Sequence, residues 1–105
     1  DVFPSLQQRQ VRMQLAETLR GVVSQVLLPR QDRDGRVVAT EVLVSNSAVA
    51  NLIRKDNVAE IRGIMETGSR FGMHTLDQSL ENLFSRGLVS REAVLAYTND
   101  TSRFL

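Results

Sequence analysis

The chain has 105 residues, of which 42% are apolar and 24% charged, and it contains no cysteine. A formal net charge of +1 gives no overall attraction to nucleic acid or to an anionic membrane, and the lack of cysteine excludes disulfides and Cys-ligated zinc. No apolar run approaches the ~20 residues that span a bilayer, so we expect a cytoplasmic chain with one modest core and no membrane insertion. Because the chain opens with Asp1 instead of Met, we expect a fragment of a longer protein.

A helix is predicted over about 5–20. Ser5 opens it with the S-x-x-Q spacing of a capping box, in which a hydroxyl and an amide each satisfy a free backbone N–H. Val11, Leu15 and Leu19 then recur one turn apart. We therefore expect one face of this helix to be buried.

Two β-branched segments, 22–29 and 37–45, flank the polar sequence RQDRDGR. The Asp34-Gly35 pair in this sequence favours a turn, so the two segments are predicted to form a β-hairpin. Each strand is apolar on nearly both faces, which is typical of a sheet covered on both sides. We therefore expect the hairpin to belong to a larger sheet whose other strands lie outside this chain.

From Asn46 onward the pattern is helical only, which predicts a subdomain boundary near Ser45. Caps and apolar periods place four helices at about 47–55, 57–68, 75–87 and 90–98. The last residues, NDTSRFL, are expected to be frayed or truncated. The predicted fold class is thus an α/β fragment, with a helix and a β-hairpin followed by a four-helix α subdomain.

These 105 residues contain no signature of an enzyme active site. The phosphate-loop, dinucleotide, nucleophile-elbow and zinc-hydrolase motifs are all missing. His74 is the only histidine, and a boundary position before a helix is favoured over a catalytic role because no second ligand or nucleophile accompanies it. Twelve of the thirteen cationic residues are arginine, which suits bidentate pairing with carboxylate or phosphate but also follows from genomic composition.

The sequence SRGLVSREAVLAYT, at 85–98, resembles the turn and second helix of a helix-turn-helix. That interpretation would place Ser90, Arg91 and Glu92 at a DNA groove. The near-zero net charge and the acidic Glu92 at the helix start favour two packed structural helices instead, so no nucleic-acid partner is expected.

Four separated segments carry a resemblance to a known family. They are DVFP (1–4), VRMQLAETLRGVVSQVLLPR (11–30), AVANLIRK (48–55) and METGSRFGMHTLDQSL (65–80). In order and spacing they resemble the retraction ATPases of type IV pili, within the secretion ATPase superfamily, over about the whole chain. The resemblance implies that 1–45 is the last portion of a RecA-like ATPase domain, with the hairpin at the edge of its sheet, and that 46–105 is the C-terminal helical subdomain.

The resemblance also implies a function. The family is a hexameric motor in which ATP hydrolysis, with Mg, powers pilus retraction and twitching motility from the cytoplasmic face of the inner membrane, against a platform protein of the pilus base. Its Walker A, Asp box, Walker B and His box all precede the segment corresponding to Asp1. This chain would contribute a subunit interface and force transmission, without hydrolysing ATP alone. The alternative is a free-standing adaptor or regulatory module of the pilus machinery with no ATPase activity.

Cysteine content favours the retraction branch of this superfamily. Extension and secretion ATPases usually carry a zinc-binding tetracysteine insertion soon after the segment corresponding to 15–28, with two C-x-x-C pairs around the metal. This chain has only the sequence RQDRDG at that place. No metal site is therefore expected in it.

The resemblance assigns a partner-contact motif to 48–55. The family's AIRNLIRE sequence, associated with retraction and not with hydrolysis, is matched here by identical residues at Ala48, Asn51, Leu52, Ile53 and Arg54. Val49 is a conservative replacement, whereas Ala50 stands for an arginine and Lys55 for a glutamate. The apolar members of the motif are predicted to form a core stripe, and partner contact is predicted to reside in Asn51, Arg54 and Lys55.

Arg20 and Gly21 are the candidate nucleotide contacts. They lie at the predicted turn between the first helix and the first strand, within the segment of strongest resemblance. Nothing in their residue types requires a nucleotide there, and packing is the favoured role.

Overall fold

The computed structural model describes residues 5–104 and begins with a helix, α1 (Ser5–Thr18), followed by the hairpin strands β1 (Gly21–Pro29) and β2 (Arg36–Val44). The later helices are α2 (Ser47–Arg54), α3 (Ile61–Glu66), α4 (Leu76–Ser85) and α5 (Arg91–Leu95). Short 3₁₀ turns lie at Val58–Glu60, Ser69–Phe71 and Thr101–Phe104. The α/β order predicted from the sequence is confirmed, and the DVFP segment of the resemblance lies outside the described residues.

The predicted hairpin is confirmed as an antiparallel pair in which Val26 faces Ala39. Its connecting loop closes where the Arg30 N–H donates to the Gly35 carbonyl over 3.0 Å. Gly35 has φ +109°, a conformation that side chains disfavour, which explains glycine at this turn. Within residues 5–104 the sheet has two strands.

The edge of β2 that faces away from β1 is hydrogen-bonded to the segment that precedes α4. His74 and Val42 exchange two backbone hydrogen bonds, of 2.9 and 3.1 Å. The imidazole Nε2 of His74 lies 2.7 Å from the Thr40 hydroxyl. His74 therefore joins the hairpin to the start of α4, at the boundary position that its sequence context favours.

The predicted start and end of α4 are both present. Thr75 and Gln78 form a reciprocal capping box, with hydrogen bonds of 3.1 and 2.9 Å. At the other end, Gly87 has φ +73°, and its N–H donates to the Phe84 carbonyl. Glycine at this position ends the helix without steric strain.

The helix predicted over 57–68 begins later than expected. Val58–Glu60 is a 3₁₀ turn, and α3 starts only at Ile61. Asn57 makes no side-chain capping bond; its N–H instead donates to the Leu52 carbonyl and closes the end of α2. Asp56, with φ +56°, supplies the left-handed residue that this helix end requires.

The C-terminal prediction is wrong in two respects. The last helix ends at Leu95 instead of reaching 98, and the following residues are ordered, with Phe104 only 2% exposed. The ring of Phe104 meets Phe84 edge-on, with centroids 5.7 Å apart. This contact explains why the segment NDTSRF folds back onto the helices.

Polar contacts with α4 hold the same C-terminal segment. Asp77, itself buried, accepts hydrogen bonds from the Thr98 hydroxyl and from the Asn99 N–H. Arg103 forms two parallel hydrogen bonds to Glu81, of 3.1 and 3.2 Å. Sequence periodicity does not detect such a clamp, because its partners lie more than twenty positions apart.

The buried apolar residues form two clusters. One contains Ala16, Val49, Ala50, Ile53, Ile61, Met65 and Met73, and the other contains Leu28, Ala39, Leu80, Leu83, Val89, Val94 and Phe104. Each cluster takes residues from both sides of the predicted boundary at Ser45. Ala16 belongs to the first, with Leu43 and Val44 packed against it, and Leu28 and Ala39 belong to the second. The hairpin thus connects the two parts of the chain.

The predicted buried face of α1 is wrong for residues 5–104. Ala16 is the only buried residue of this helix, whereas Val11 and Leu15 are 39% and 43% exposed. The helix also ends at Thr18, two residues earlier than predicted. The apolar stripe is present in the sequence, but the described part of the chain leaves it uncovered.

The Phe104 contact predicts a large loss of stability on truncation. Phe104→Ala should lower the free energy of unfolding by about 3–5 kcal/mol, the usual cost of removing a buried phenylalanine. Tyr97→Ala, an aromatic truncation at a 44% exposed position two residues beyond α5, is the control and should cost far less. Urea unfolding measures both, and equal losses would contradict the buried position of Phe104.

The hairpin loop contains a carboxyl group with a lowered pKa. Two hydrogen bonds from Arg30, of 2.9 and 2.7 Å, hold the pKa of Asp32 at about 2. Because the folded pKa lies below the ordinary value of 3.8, the stabilisation is complete above that pH and is lost as the pH falls towards 2. The loop is exposed, so solvent screening keeps the contribution of this ion pair to the stability of the fold small.

Carboxyl-carbon NMR tests this prediction. Asp32 should titrate at about 2 in the wild type, and Arg30→Gln should return its pKa towards its ordinary value. Arg33→Gln is the control, since Arg33 acts on Asp32 only through its charge and should shift the pKa less. An unchanged pKa in the Arg30 variant would contradict the ion pair.

Candidate interaction site on the first two helices

The motif at 48–55 lies on α2, which starts at a well-formed cap. Asn46 accepts a hydrogen bond from the Val49 N–H over 2.9 Å, so the first turn is fixed in place. Val49, Ala50 and Ile53 are buried in the first apolar cluster, and Leu52 is half-buried. The core stripe predicted for the motif is therefore observed, with Ala50 added to it.

The remaining motif residues face outward. Ala48, Asn51, Arg54 and Lys55 are all exposed. The side chains of Asn51, Arg54 and Lys55 make no hydrogen bond or ion pair within residues 5–104. Two cations and an amide thus stand together, unpaired, at the C-terminal end of α2, where they can contact another molecule.

Arg20 and Gly21 lie where α1 gives way to β1, and both are exposed. The Arg20 carbonyl accepts from the Ser45 N–H over 2.9 Å, which ties the two ends of the hairpin together. A Cβ on Gly21 would come within 2.9 Å of the Leu43 carbonyl oxygen, so a larger residue would disturb the strand pairing. These contacts explain Gly21 by packing, and the nucleotide role of both residues stays a prediction.

An open groove of about 520 Å³ lies beside these residues. It is mostly apolar, and its walls come from α1, both strands at the open end of the hairpin, α2 and the residues from α2 to the start of α3. Its lining residues are Gln8, Val11, Arg12, Leu15, Leu19, Val22, Leu43, Ile53, Asp56, Val58 and Ile61. The sequence analysis did not predict the groove, although the apolar residues spaced one turn apart along α1 indicated a surface of this kind.

One ion pair stands in the groove. The Arg12 Nη1 lies 3.8 Å from Asp56 Oδ2, a separation too long for a hydrogen bond. The Nε atom of Arg12 is buried, and no acceptor among residues 5–104 faces it. The guanidinium is therefore only partly satisfied by the described residues.

The described residues offer no cluster of acidic or histidine side chains that could hold a metal ion. No helix within 5–104 has the length and hydropathy to cross a bilayer.

The helix that the helix-turn-helix hypothesis would place at a DNA groove is short. It is α5, which has five residues, and Ser90 is its N-cap, whose side chain accepts a hydrogen bond from the Ala93 N–H.

Comparison with known proteins identifies relatives of this fold. The chain is 45% identical over 93 residues to a twitching motility protein of Neisseria gonorrhoeae and 44% identical over 92 residues to the type IV pilus retraction ATPase PilT of Pseudomonas aeruginosa. These matches cover 89% and 88% of this chain. The chain is homologous to the C-terminal part of the pilus retraction ATPases. No protein-family model matches it.

A solved structure supports the same relationship. The pilus retraction motor PilT with bound ADP superposes with a TM-score of 0.82 and 35% identity, over 98% of this chain and 28% of that one. The ATPase DotB of Legionella pneumophila, at 20% identity and a TM-score of 0.66, shares the fold. The chain spans about a quarter of the length of the retraction ATPases that it matches.

Substitutions on the two faces of α2 should differ in their effect on the free energy of unfolding. The double variant Asn51→Ala/Arg54→Ala should change the free energy of unfolding by less than about 0.5 kcal/mol, because both side chains are exposed and unpaired. Ile53→Ala, on the buried face of the same turn, should cost about 2–5 kcal/mol. Urea unfolding separates the two cases, and a large loss in the double variant would contradict the exposed face.

Proposed function

We propose that this chain is the C-terminal part of a hexameric ATPase motor that retracts type IV pili and drives twitching motility. The observation that carries the proposal is its 45% identity over 93 residues to a twitching motility protein. The likeness to PilT with bound ADP, over 98% of the chain, supports the same assignment. Within the motor the chain contributes a subunit interface and transmits force.

The proposed division assigns 1–45 to a RecA-like ATPase domain and 46–105 to a helical subdomain. The outer face of the hairpin supports the first assignment, since Val23, Leu27 and Val38 on that face are exposed. The outer edge of β1 also has no strand beside it within residues 5–104. Apolar faces and free edges of this kind are usual where a sheet continues into another part of the protein.

We propose that ATP and Mg bind the longer protein through motifs outside these 105 residues. The chain itself has no phosphate-binding loop, so it should not hydrolyse ATP alone. Arg20 and Gly21 are proposed as secondary contacts to the nucleotide, because both have roles in the hairpin: the Arg20 carbonyl accepts from the Ser45 N–H, and Gly21 leaves space for the Leu43 carbonyl.

The proposed contact with the pilus machinery resides on α2. Asn51, Arg54 and Lys55 supply unpaired donors that suit acidic or carbonyl groups of a platform protein at the pilus base. The buried side of the same helix fixes their positions, because Val49 and Ile53 anchor it in the core. The motor is proposed to act at the cytoplasmic face of the inner membrane, without nucleic acid as a partner.

The decisive experiment is to sequence the DNA upstream of the Asp1 codon. A continuous reading frame with a phosphate-binding loop followed by acidic and histidine motifs is the expected result. A start codon at this boundary, with no such frame, would contradict the motor and favour the free-standing adaptor.

A complementation assay tests the role of α2. In the longer protein, Asn51→Ala/Arg54→Ala should reduce twitching in a deletion strain by at least about tenfold while ATP hydrolysis continues, because exposed contact residues carry binding energy without holding the fold. Arg62→Ala, an exposed arginine on α3, is the matched control. Equal twitching by both variants would contradict partner contact at α2.

A further inference from the structure

The groove beside α1 is an apolar surface that residues 5–104 leave uncovered. Val11 and Leu15 line the groove and are partly exposed, and Val58, which also lines it, is 59% exposed. Folded proteins seldom leave a contiguous apolar patch with a recess in it unless another segment or molecule covers it. The groove has room for several side chains, at about 520 Å³.

Arg12 gives this groove a chemical preference. Its buried Nε donates to no acceptor among the described residues, and Asp56 approaches Nη1 only to 3.8 Å. A buried guanidinium N–H without an acceptor is unfavourable, whereas a carboxylate beside it forms strong, charge-assisted hydrogen bonds. An occupant with apolar side chains and one carboxylate would cover the apolar lining and supply an acceptor for the Nε of Arg12.

The charges around the groove favour the same occupant. The segments that form its walls, at 5–22 and 47–61, carry five cations and three carboxylates. The cations are Arg9, Arg12, Arg20, Arg54 and Lys55, and the carboxylates are Glu17, Asp56 and Glu60. The excess of positive charge attracts an acidic segment.

The length of the relatives indicates where such a segment comes from. This chain corresponds to 25% of the twitching motility protein and 28% of the ADP-bound motor, so most of those polypeptides lie outside it. We infer that the groove is filled by a segment of the longer polypeptide, beyond the described residues 5–104, that presents apolar side chains and a carboxylate to Arg12. This inference rests on the proposed function, since it requires the longer protein.

Cysteine labelling of the longer protein tests the inference, since these 105 residues contain no cysteine of their own. Val58→Cys probes the rim of the groove, and Phe71→Cys, at a position 49% exposed and outside the groove lining, is the control. Each rate of alkylation by iodoacetamide is read from the mass of the labelled peptide and divided by its rate in urea. A filled groove should slow Val58→Cys at least about tenfold relative to Phe71→Cys.

The source of the occupant is tested in the same assay. At a concentration where sedimentation velocity finds a monomer, protection of Val58→Cys should persist. Protection found only in the oligomer would overturn the inference and assign the groove to a neighbouring subunit. Equal labelling of both cysteines would overturn the inference that the groove is filled. It would not affect the proposed function, which is tested by the upstream DNA sequence and by the twitching assay.

The carboxylate is tested through Arg12. In the Val58→Cys background of the longer protein, Arg12→Gln should raise the labelling rate by about tenfold, because a charge-assisted contact is lost. Arg9→Gln, on the same helix but outside the groove lining, is the control and should raise the rate far less, because Arg9 contributes only long-range attraction to the occupant. Arg12→Lys, which keeps the charge, should retain part of the protection. Equal effects of the Arg9 and Arg12 substitutions, with unchanged circular dichroism, would overturn the carboxylate contact.

Discussion

The strand pairing of the hairpin is the interaction on which the rest of this structure depends. Its inner face reaches both apolar clusters, with Leu28 and Ala39 in one and Leu43 packed against the other. A slip of one residue in this register would turn those side chains away from both cores, because neighbouring strand residues face opposite sides. The hairpin therefore aligns the helices before and after it.

Two of the helices that follow this hairpin are short, since α3 and α5 have six and five residues. Helices of this length are not stable alone in water and depend on caps and tertiary contacts. The side chain of Thr75 supplies one such cap, and Asp77 supplies a buried acceptor for the chain beyond α5. Arg103 then ties the last described turn to α4, and the buried Phe104 beside it is part of the core.

In the proposed motor, α2 has two tasks that its two faces keep separate. The buried face packs Val49 and Ile53 into the first apolar cluster, which would transmit a displacement of the helix into the core. The outward face presents the side chains of Asn51 and Arg54, which make no hydrogen bond or ion pair within residues 5–104. A force applied at this exposed face would therefore reach the hairpin through packed side chains, since interiors of this kind are dense and resist compression.

The sequence by itself determined the features that depend on near neighbours. Capping at Thr75, the turn at Gly35, the helix end at Gly87 and the α/β order follow from local backbone chemistry, and they are present. Only the tertiary structure decided the ordered C-terminus around Phe104, because its partners on α4 lie about twenty positions earlier in the chain. The same holds for the groove: periodicity marked the apolar stripe of α1, but whether such a stripe is covered depends on which distant segments reach it.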